Sequence, residues 1–157
     1  MGGTMPGMPM TAPVSGEGKP AWQVPSGWTE TSGGQFLVAK FLIAGDAGAQ
    51  AAVNVSASAG EGGGLASNVN RWRGQLGLTP LSESDLSAQV QTLDAAGGKI
   101  SVVDLSGTDA RSGQPARLVG AIVPQNGQTW FYKLMGDAKI VGAQKDAFTQ
   151  FVQSAKY

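Results

Sequence analysis

Hydrophobic and polar residues alternate along much of this chain with the two-residue period of β-strands. The clearest example is a pair of segments, "ARLVGAIVP" (116–124) and "TWFYKLMG" (129–136), which are separated by the turn "QNGQ". Asn126 and Gly127 in that turn tolerate the positive φ angles that a two-residue hairpin loop requires. The pattern therefore predicts a β-hairpin.

Two earlier segments predict a second hairpin. "FLVAKFLIAG" (36–45) and "AQAAVNVSASAG" (49–60) are rich in strand-forming residues and are joined by the turn-like "GDAG". Before them, "WQVPSGW" (22–28) alternates around a Pro-Ser-Gly turn and predicts an edge strand with a kink.

The stretch "VQTLDAAGGKISVVDLSG" (90–107) is ambiguous. Its first apolar residues continue a helical face that begins before it, whereas the Gly97-Gly98 pair suits a turn between strands. We favour strands at 89–94 and 99–107.

Helical spacing occurs directly after the loop "GEGGG". Val69, Trp72 and Leu76 recur at intervals of three and four residues, and Ser67 or Asn68 can cap the N-terminus of this predicted helix. These three apolar residues predict that one side of the helix faces the core.

Two further helices are predicted. In "LSESDL", Ser82 can cap a brief helix, and Asp85 occupies the position of a capping-box acid. The final helix runs from about Asp137 to Ala155 and places its apolar residues on one side. We expect it to pack across the sheet.

The order of these elements predicts the fold class. Strands come as consecutive hairpins, with helices inserted at one point and at the end, which favours an α+β fold over repeated βαβ units. We predict an antiparallel β-sheet of about six or seven strands covered by helices, formed by a single domain at 21–157.

Residues 1–20 hold four of the five methionines and four of the eight prolines without apolar periodicity, so a disordered tether is predicted.

The amino-acid composition limits the partners and the kinds of active site that the protein can have. Eleven basic and eleven acidic residues cancel, so no overall field attracts nucleic acid, and no nucleic-acid partner is expected. The chain has no histidine and no cysteine, and therefore lacks the commonest general base, the thiol nucleophile and the usual zinc ligands. No catalytic centre, metal site or cofactor is predicted.

The segment "NVNRWRGQLGL" (68–78) contains the candidate site. Trp72 is predicted to be a core anchor, because its apolar neighbours on the helix account for it. Arg71 and Arg73 flank it and could hold a carboxylate or phosphate, or could instead pair with acidic residues of nearby loops. The three methionines Met5, Met8 and Met10 have the spacing of a Cu(I) cluster, although a low-complexity linker explains them better.

Aromatic residues offer a further alternative. A ligand groove could be lined by Trp22, Trp28, Trp130, Phe131 and Tyr132, but aromatic side chains more often form the core. Alternation along the last strand places Trp130 and Tyr132 on one face of the sheet and Phe131 and Lys133 on the other.

Three segments carry a resemblance to a known family, namely "WQVPSGW", "TWFYKLMGD" and the final "KDAFTQFVQSAKY" with Phe148, Phe151 and Ser154. Through them, residues 22–157 resemble the PsbP-like and Mog-like fold family. That family includes the extrinsic subunit of photosystem II and the Ran-binding Mog proteins, and its layout is an α/β/α sandwich. The nearest likeness is to bacterial exported proteins and lipoproteins of this shape. The photosystem branch implies a pigment-protein partner and the Mog branch a GTPase partner, and neither set of functional residues maps onto this sequence.

The resemblance implies a non-catalytic accessory or protein-binding domain of an exported bacterial protein. Its location would be periplasmic or anchored to the outer side of the inner membrane, with a signal removed before Met1 and peripheral membrane tethering through an N-terminal anchor. We expect a monomer with a protein partner. The alternatives are a small hydrolase-like enzyme with an anion site at Arg71 and Arg73, and a Cu(I)-binding tail on a structural domain.

Overall fold

The computed structural model describes residues 20–32, 37–45, 48–60, 62–95 and 98–157. The strands are β1 (Trp28–Thr31), β2 (Ala39–Ala44), β3 (Gln50–Ala59), β4 (Gln91–Ala95), β5 (Gly98–Thr108), β6 (Pro115–Gln125) and β7 (Gln128–Asp137). The helices are α1 (Leu65–Gln75), α2 (Glu83–Gln89) and α3 (Ala138–Ser154). The predicted tether, with the three methionines of its possible Cu(I) site, lies outside the described residues except for Pro20, which is buried.

All seven strands form one antiparallel sheet with the order β1-β2-β3-β7-β6-β5-β4. The α+β prediction and its strand number are therefore confirmed, as are the predicted hairpins β2–β3, β4–β5 and β6–β7. Asn126 has a φ of 53° and Gly127 a φ of 77°, so the two-residue turn between β6 and β7 has the predicted conformation. The long-range pair β3–β7 joins the two halves of the sheet.

Helix α3 covers the first face of the sheet. The Asp137 side chain caps this helix by accepting hydrogen bonds from the backbone N–H groups of Lys139 and Ile140. Val141, Phe148, Phe151 and Val152 on its inner side are buried against strand residues such as Phe41, Val53 and Tyr132. This is the larger of the two hydrophobic clusters, and the final helix was predicted correctly.

Helices α1 and α2 lie on the second face, over β5, β6 and β7. Trp72 is only 3% exposed, and its ring lies so close to Gly120 on β6 that a Cβ atom there would overlap it. Leu76 lies over Gly107 of β5 in the same way. Glycine is thus required at both positions for α1 to approach the sheet, and the core assignment of Trp72 is confirmed.

Helix α1 begins earlier than predicted. Its N-cap is Gly64, with no side-chain cap, and Asn68 lies inside the helix with its amide donating to the carbonyl oxygens of Gly62 and Gly64. Gly62, Gly63 and Gly64 all have positive φ, and this left-handed turn ends directly before Leu65. A capping residue at 67 or 68 was therefore a wrong prediction, whereas Ser82 caps α2 as expected.

The predicted kinked edge strand is shorter in the structure. Only Trp28–Thr31 pairs as β1, whereas Ala21 forms an isolated bridge with Lys156 near the C-terminus. The Trp28 N–H bonds to the carbonyl oxygen of Pro25, which closes the turn at Ser26-Gly27. The chain between the bridge and β1 packs by its side chains, with Trp22 against Phe151.

Among the described residues, no helix is both long and apolar enough to cross a membrane.

Within the described residues, helices cover the second face on only one half of the sheet. The cluster beneath α1 and α2 contains no residue from β1, β2 or β3. On those strands Thr29 and Leu42 are exposed, and Lys40, Asn54 and Ser56 are half-buried. We call this half the open face, defined by Thr29, Thr31, Lys40, Leu42, Asn54 and Ser56. One cross-strand row of paired residues runs from the open face to the ring of Trp72. It consists of Thr31, Lys40, Asn54, Lys133 and Gly120.

Candidate functional site

Helix α1 separates the two predicted site residues. Consecutive helical residues are about 100° apart, so Arg71 and Arg73 project in nearly opposite directions. Arg73 is 9% exposed, and its Nε–H donates to the carbonyl oxygen of Thr79 at 2.8 Å. Arg71 is exposed. In the described part of the chain, no carboxylate lies within ion-pair distance of either arginine, so the alternative of loop ion pairs has no support there.

Gln75, at the end of α1, links this helix to two elements that carry other cationic residues. Its side-chain Oε1 accepts a hydrogen bond from Lys133 Nζ of β7 at 3.0 Å. Its backbone oxygen accepts one from the N–H of Ala110, also at 3.0 Å, which ties the β5–β6 turn and the neighbouring Arg111 to the helix. Gln75 also lies one helical turn after Arg71 and therefore on the same side of α1. We call Arg71, Arg111 and Lys133 the cation group.

Electrostatics shows that the three charges interact. The pKa of Lys133 is lowered, first by its burial and then by the positive charges of Arg71 and Arg111. Asp109 precedes Arg111 by two residues, but its carboxylate accepts hydrogen bonds from the backbone N–H groups of Arg111 and Ser112 and serves to close the turn. The cation group therefore has an excess of positive charge around a half-buried ammonium.

Lys133 stands at the boundary between the covered and open halves of the second face. Its register neighbours are Gly120, beneath the ring of Trp72, and Asn54 on the open face. Asn54 Oδ1 is buried and has no hydrogen-bond partner among the described residues. Buried polar atoms without partners are rare in folded proteins. The centre of this sheet is thus polar at the point where helical cover ends.

A second charged cluster, on the first face, consists of ion pairs. Arg117 donates two hydrogen bonds to Asp104, at 2.8 and 2.6 Å, and Lys145 Nζ of α3 lies 2.8 Å from the same carboxylate. The hydrogen bond from Arg117 is the main cause that lowers the pKa of Asp104 to about 2, and Lys145 adds to it. This cluster joins α3 to the sheet and leaves one excess positive charge.

The aromatic residues considered for a ligand groove are divided between the two cores. Trp28, Trp130 and Tyr132 belong to the cluster under α3, and Phe131 belongs to the cluster under α1. Trp22 packs on the first of these, and its Nε1–H donates to the Tyr132 hydroxyl at 3.0 Å. These rings are structural in the described molecule.

Among the described residues, no group of three acidic, histidine or cysteine side chains is arranged to hold a metal ion.

Sequence reasoning found Arg71 but did not find Arg111 or Lys133. One signal for Lys133 was present, because a lysine in the middle of a strand with hydrophobic neighbours on both sides is rarely buried without a partner. Nothing in the local sequence connects it to Arg71, since the link between the two residues is the hydrogen bond of Lys133 to Gln75 on α1.

Comparison with known proteins identifies the fold. No protein-family model matches the sequence, and a search of curated proteins finds no match either. Among solved structures, the cyanobacterial PsbP protein CyanoP of Synechocystis sp. PCC 6803 is similar with a TM-score of 0.52 at 14% identity, over 86% of this chain and 84% of that one. LpqN of Mycobacterium tuberculosis is similar with a TM-score of 0.50 at 14% identity, over 84% and 79% of the two chains.

A protein of Bacteroides thetaiotaomicron is also similar, with a TM-score of 0.51 at 12% identity over 86% of this chain. This chain spans only 43% of the length of that protein. At such identities the matches establish the fold alone. The molecule has the PsbP-like α+β fold that its sequence resemblance predicted.

Proposed function

We propose that this protein is a non-catalytic accessory domain of an exported bacterial protein, and that it binds a partner protein through the open face. The observation that carries the proposal is the incomplete helical cover of the second face in the described part of the chain. Leu42 is 39% exposed in the middle of β2, although a sheet residue so placed is commonly covered in a layered fold.

The chemistry of the open face suits a protein partner. It combines an exposed leucine with hydroxyl, amide and lysine side chains, which resembles the mixed apolar and polar character of protein interfaces. On β1–β3 the only described acidic residue is Glu30, and its register partner Phe41 places it on the opposite face. The open face and the adjacent cation group therefore favour a partner with negative charge.

The exported location is supported by one neighbour. LpqN, which shares the fold, is involved in cell envelope biogenesis in Mycobacterium tuberculosis. A domain that assembles with envelope proteins needs an accessible binding surface and no catalytic centre of its own. The proposal assigns this role to the open face.

Photo-crosslinking in intact producing cells tests the proposal. A crosslinking amino acid at position 42 of the full chain is expected to give an adduct with one identified protein in the envelope fraction. The same amino acid at position 143, which is exposed on α3, serves as the control. With the purified partner, Leu42→Glu should weaken binding by about tenfold or more, because a buried charge replaces an apolar contact, whereas Ala143→Glu should not.

Equal crosslinking from both positions, or none from position 42, would contradict the proposed surface. Retained binding by Leu42→Glu would contradict it as well. An adduct found only in the cytosolic fraction would contradict the exported location. Thermal melting of each variant shows that the comparison concerns folded protein.

A further inference from the structure

We propose that Arg71, Arg111 and Lys133 form a binding site for the carboxylate groups of an acidic segment on the partner protein. The inference rests on the proposed protein-binding function and names the chemistry that the partner must bring.

The convergence of the three cations is built into the fold. They come from three separate elements, namely α1, the β5–β6 turn and β7, which Gln75 connects. Lys133 donates to the side chain of that residue, the turn of Arg111 donates to its backbone through Ala110, and Arg71 lies one turn before it on the helix. Long cationic side chains on a surface usually spread apart, so a shared anchor favours a common ligand.

The excess charge has no internal partner in the described molecule. The ion pairs there join Lys99 with Asp94 and Asp104 with both Arg117 and Lys145. None of them includes a member of the cation group. Lys133 therefore keeps a half-buried ammonium beside two guanidinium groups, an arrangement that costs stability unless an anion offsets it. The lowered pKa of Lys133 reflects the same cost.

The side-chain types favour carboxylates. Arg71 and Arg111 are both exposed, and each guanidinium can hold a carboxylate with two parallel hydrogen bonds, while the Lys133 ammonium adds a third positive donor between the sheet and α1. Lys40, in the same cross-strand row as Lys133, continues the positive charge onto the open face. An extended acidic segment lying along that row would meet both the cation group and Lys40.

Fluorescence polarisation with a labelled octaglutamate peptide tests the site in the full chain at low salt. The variants are Lys133→Met, which removes the ammonium but keeps the length of the side chain, and the double variant Arg71→Gln with Arg111→Gln. The control is Lys139→Gln with Lys156→Gln, which removes two positive charges, as many as the double variant and one more than Lys133→Met, from exposed residues of α3 and the C-terminal segment. We expect Kd to rise about tenfold or more in both site variants and less than about twofold in the control.

The melting temperature distinguishes a variant that has lost the binding site from a variant that no longer folds. Lys133→Met should melt at the temperature of the parent or above it, because it removes a half-buried charge whose pKa is lowered in the folded state. If that variant fails to fold, the double variant at two exposed arginines still tests the site.

Equal weakening in the site and control variants would overturn the inference, since binding would then depend on net charge alone. Tripolyphosphate that binds more tightly than the peptide and is not displaced by it would also overturn it, because the site would then select phosphate. If Leu42→Glu prevents partner binding while all cation-group variants bind normally, the proposed function stands and this inference fails. If the cation group binds octaglutamate while Leu42→Glu has no effect on the partner, the open-face proposal fails instead.

Discussion

Helix α1 approaches the sheet closely where the ring of Trp72 lies over Gly120. A tryptophan ring can approach a strand backbone this closely only where the strand has no side chain, and Gly120 provides that position between Val119 and Ala121. The glycine and the tryptophan therefore depend on one another, although they are far apart in the sequence.

Mutation of this pair should show that dependence. Trp72→Ala is expected to lower the free energy of unfolding by about 3 to 5 kcal/mol, because it leaves a large cavity. Gly120→Ala should cost about 1 to 3 kcal/mol, because the added methyl overlaps the ring. The same glycine substitution should cost less in a Trp72→Leu background. Urea denaturation of the parent, Gly120→Ala, Trp72→Leu and the double variant measures the coupling, and strictly additive losses would contradict the contact.

The two arginines beside Trp72 should differ in stability. Arg73→Ala removes the donor to the Thr79 carbonyl and a nearly buried side chain, so a loss of about 1 to 3 kcal/mol is expected. Arg71→Ala changes an exposed side chain and should stay within about 0.5 kcal/mol of the parent. Chemical denaturation at neutral pH measures both. A reversed order would show that Arg71, rather than Arg73, is the structural residue.

At the scale of elements, α3 is held to the sheet by both apolar packing and charge. Its buried side packs on β3, β6 and β7, while Lys145 reaches Asp104 on β5 and, through it, Arg117 on β6. Asp104 is about a quarter exposed, at 26%, so water screens these pairs only in part. The ion pairs should therefore make a measurable contribution.

The pH dependence of that contribution follows from the lowered pKa of Asp104, which is about 2 against 3.8 for a free carboxyl. The folded state favours the ionised form, so the stabilisation is present above pH 3.8 and is lost as the pH falls towards 2. Asp104→Asn should cost about 1 to 2 kcal/mol at pH 7, after allowance for screening, and much less near pH 2. Thermal melting against pH measures this.

The matched control is Asp94→Asn, which breaks the ion pair with Lys99. The side chains of that pair are 85% and 73% exposed, so little or no change is expected at any pH. A cost at Asp104 that does not change with pH would assign the effect to side-chain packing instead of charge.

Local sequence predicted the elements well because each one carries its own signal. Asn126-Gly127 defines a two-residue turn, the apolar residues of α3 repeat on one side, and Ser82 caps α2. The start of α1 was missed because three successive glycines with positive φ set it, and a polar residue inside the helix resembled a cap. The strand predicted at Trp22 was wrong, because that segment is held by aromatic packing and a single backbone bridge at Ala21 and not by a strand ladder.

At the scale of the whole molecule, the pairing of β3 with β7 decides where the candidate site lies. It places Asn54 beside Lys133 and joins the β1–β3 half of the sheet to the half beneath the helices. Helices α1 and α2 are connected between β3 and β4, yet they pack over β5–β7 and leave β1–β3 without helical cover in the described residues. The open face and the cation group are both consequences of that arrangement.

The sequence alone was sufficient for the fold class, the hairpins, the helices and the burial of Trp72, because periodicity and turn chemistry act over a few neighbouring residues. It also indicated Arg71 as a candidate anion-binding residue. It was not sufficient to place Arg111 and Lys133 beside Arg71, to turn Arg73 into the core, or to reveal an uncovered half of the sheet. Those features depend on pairings between residues distant in the chain, which are selected by packing of the complete sheet and helices and leave no pattern in any local segment.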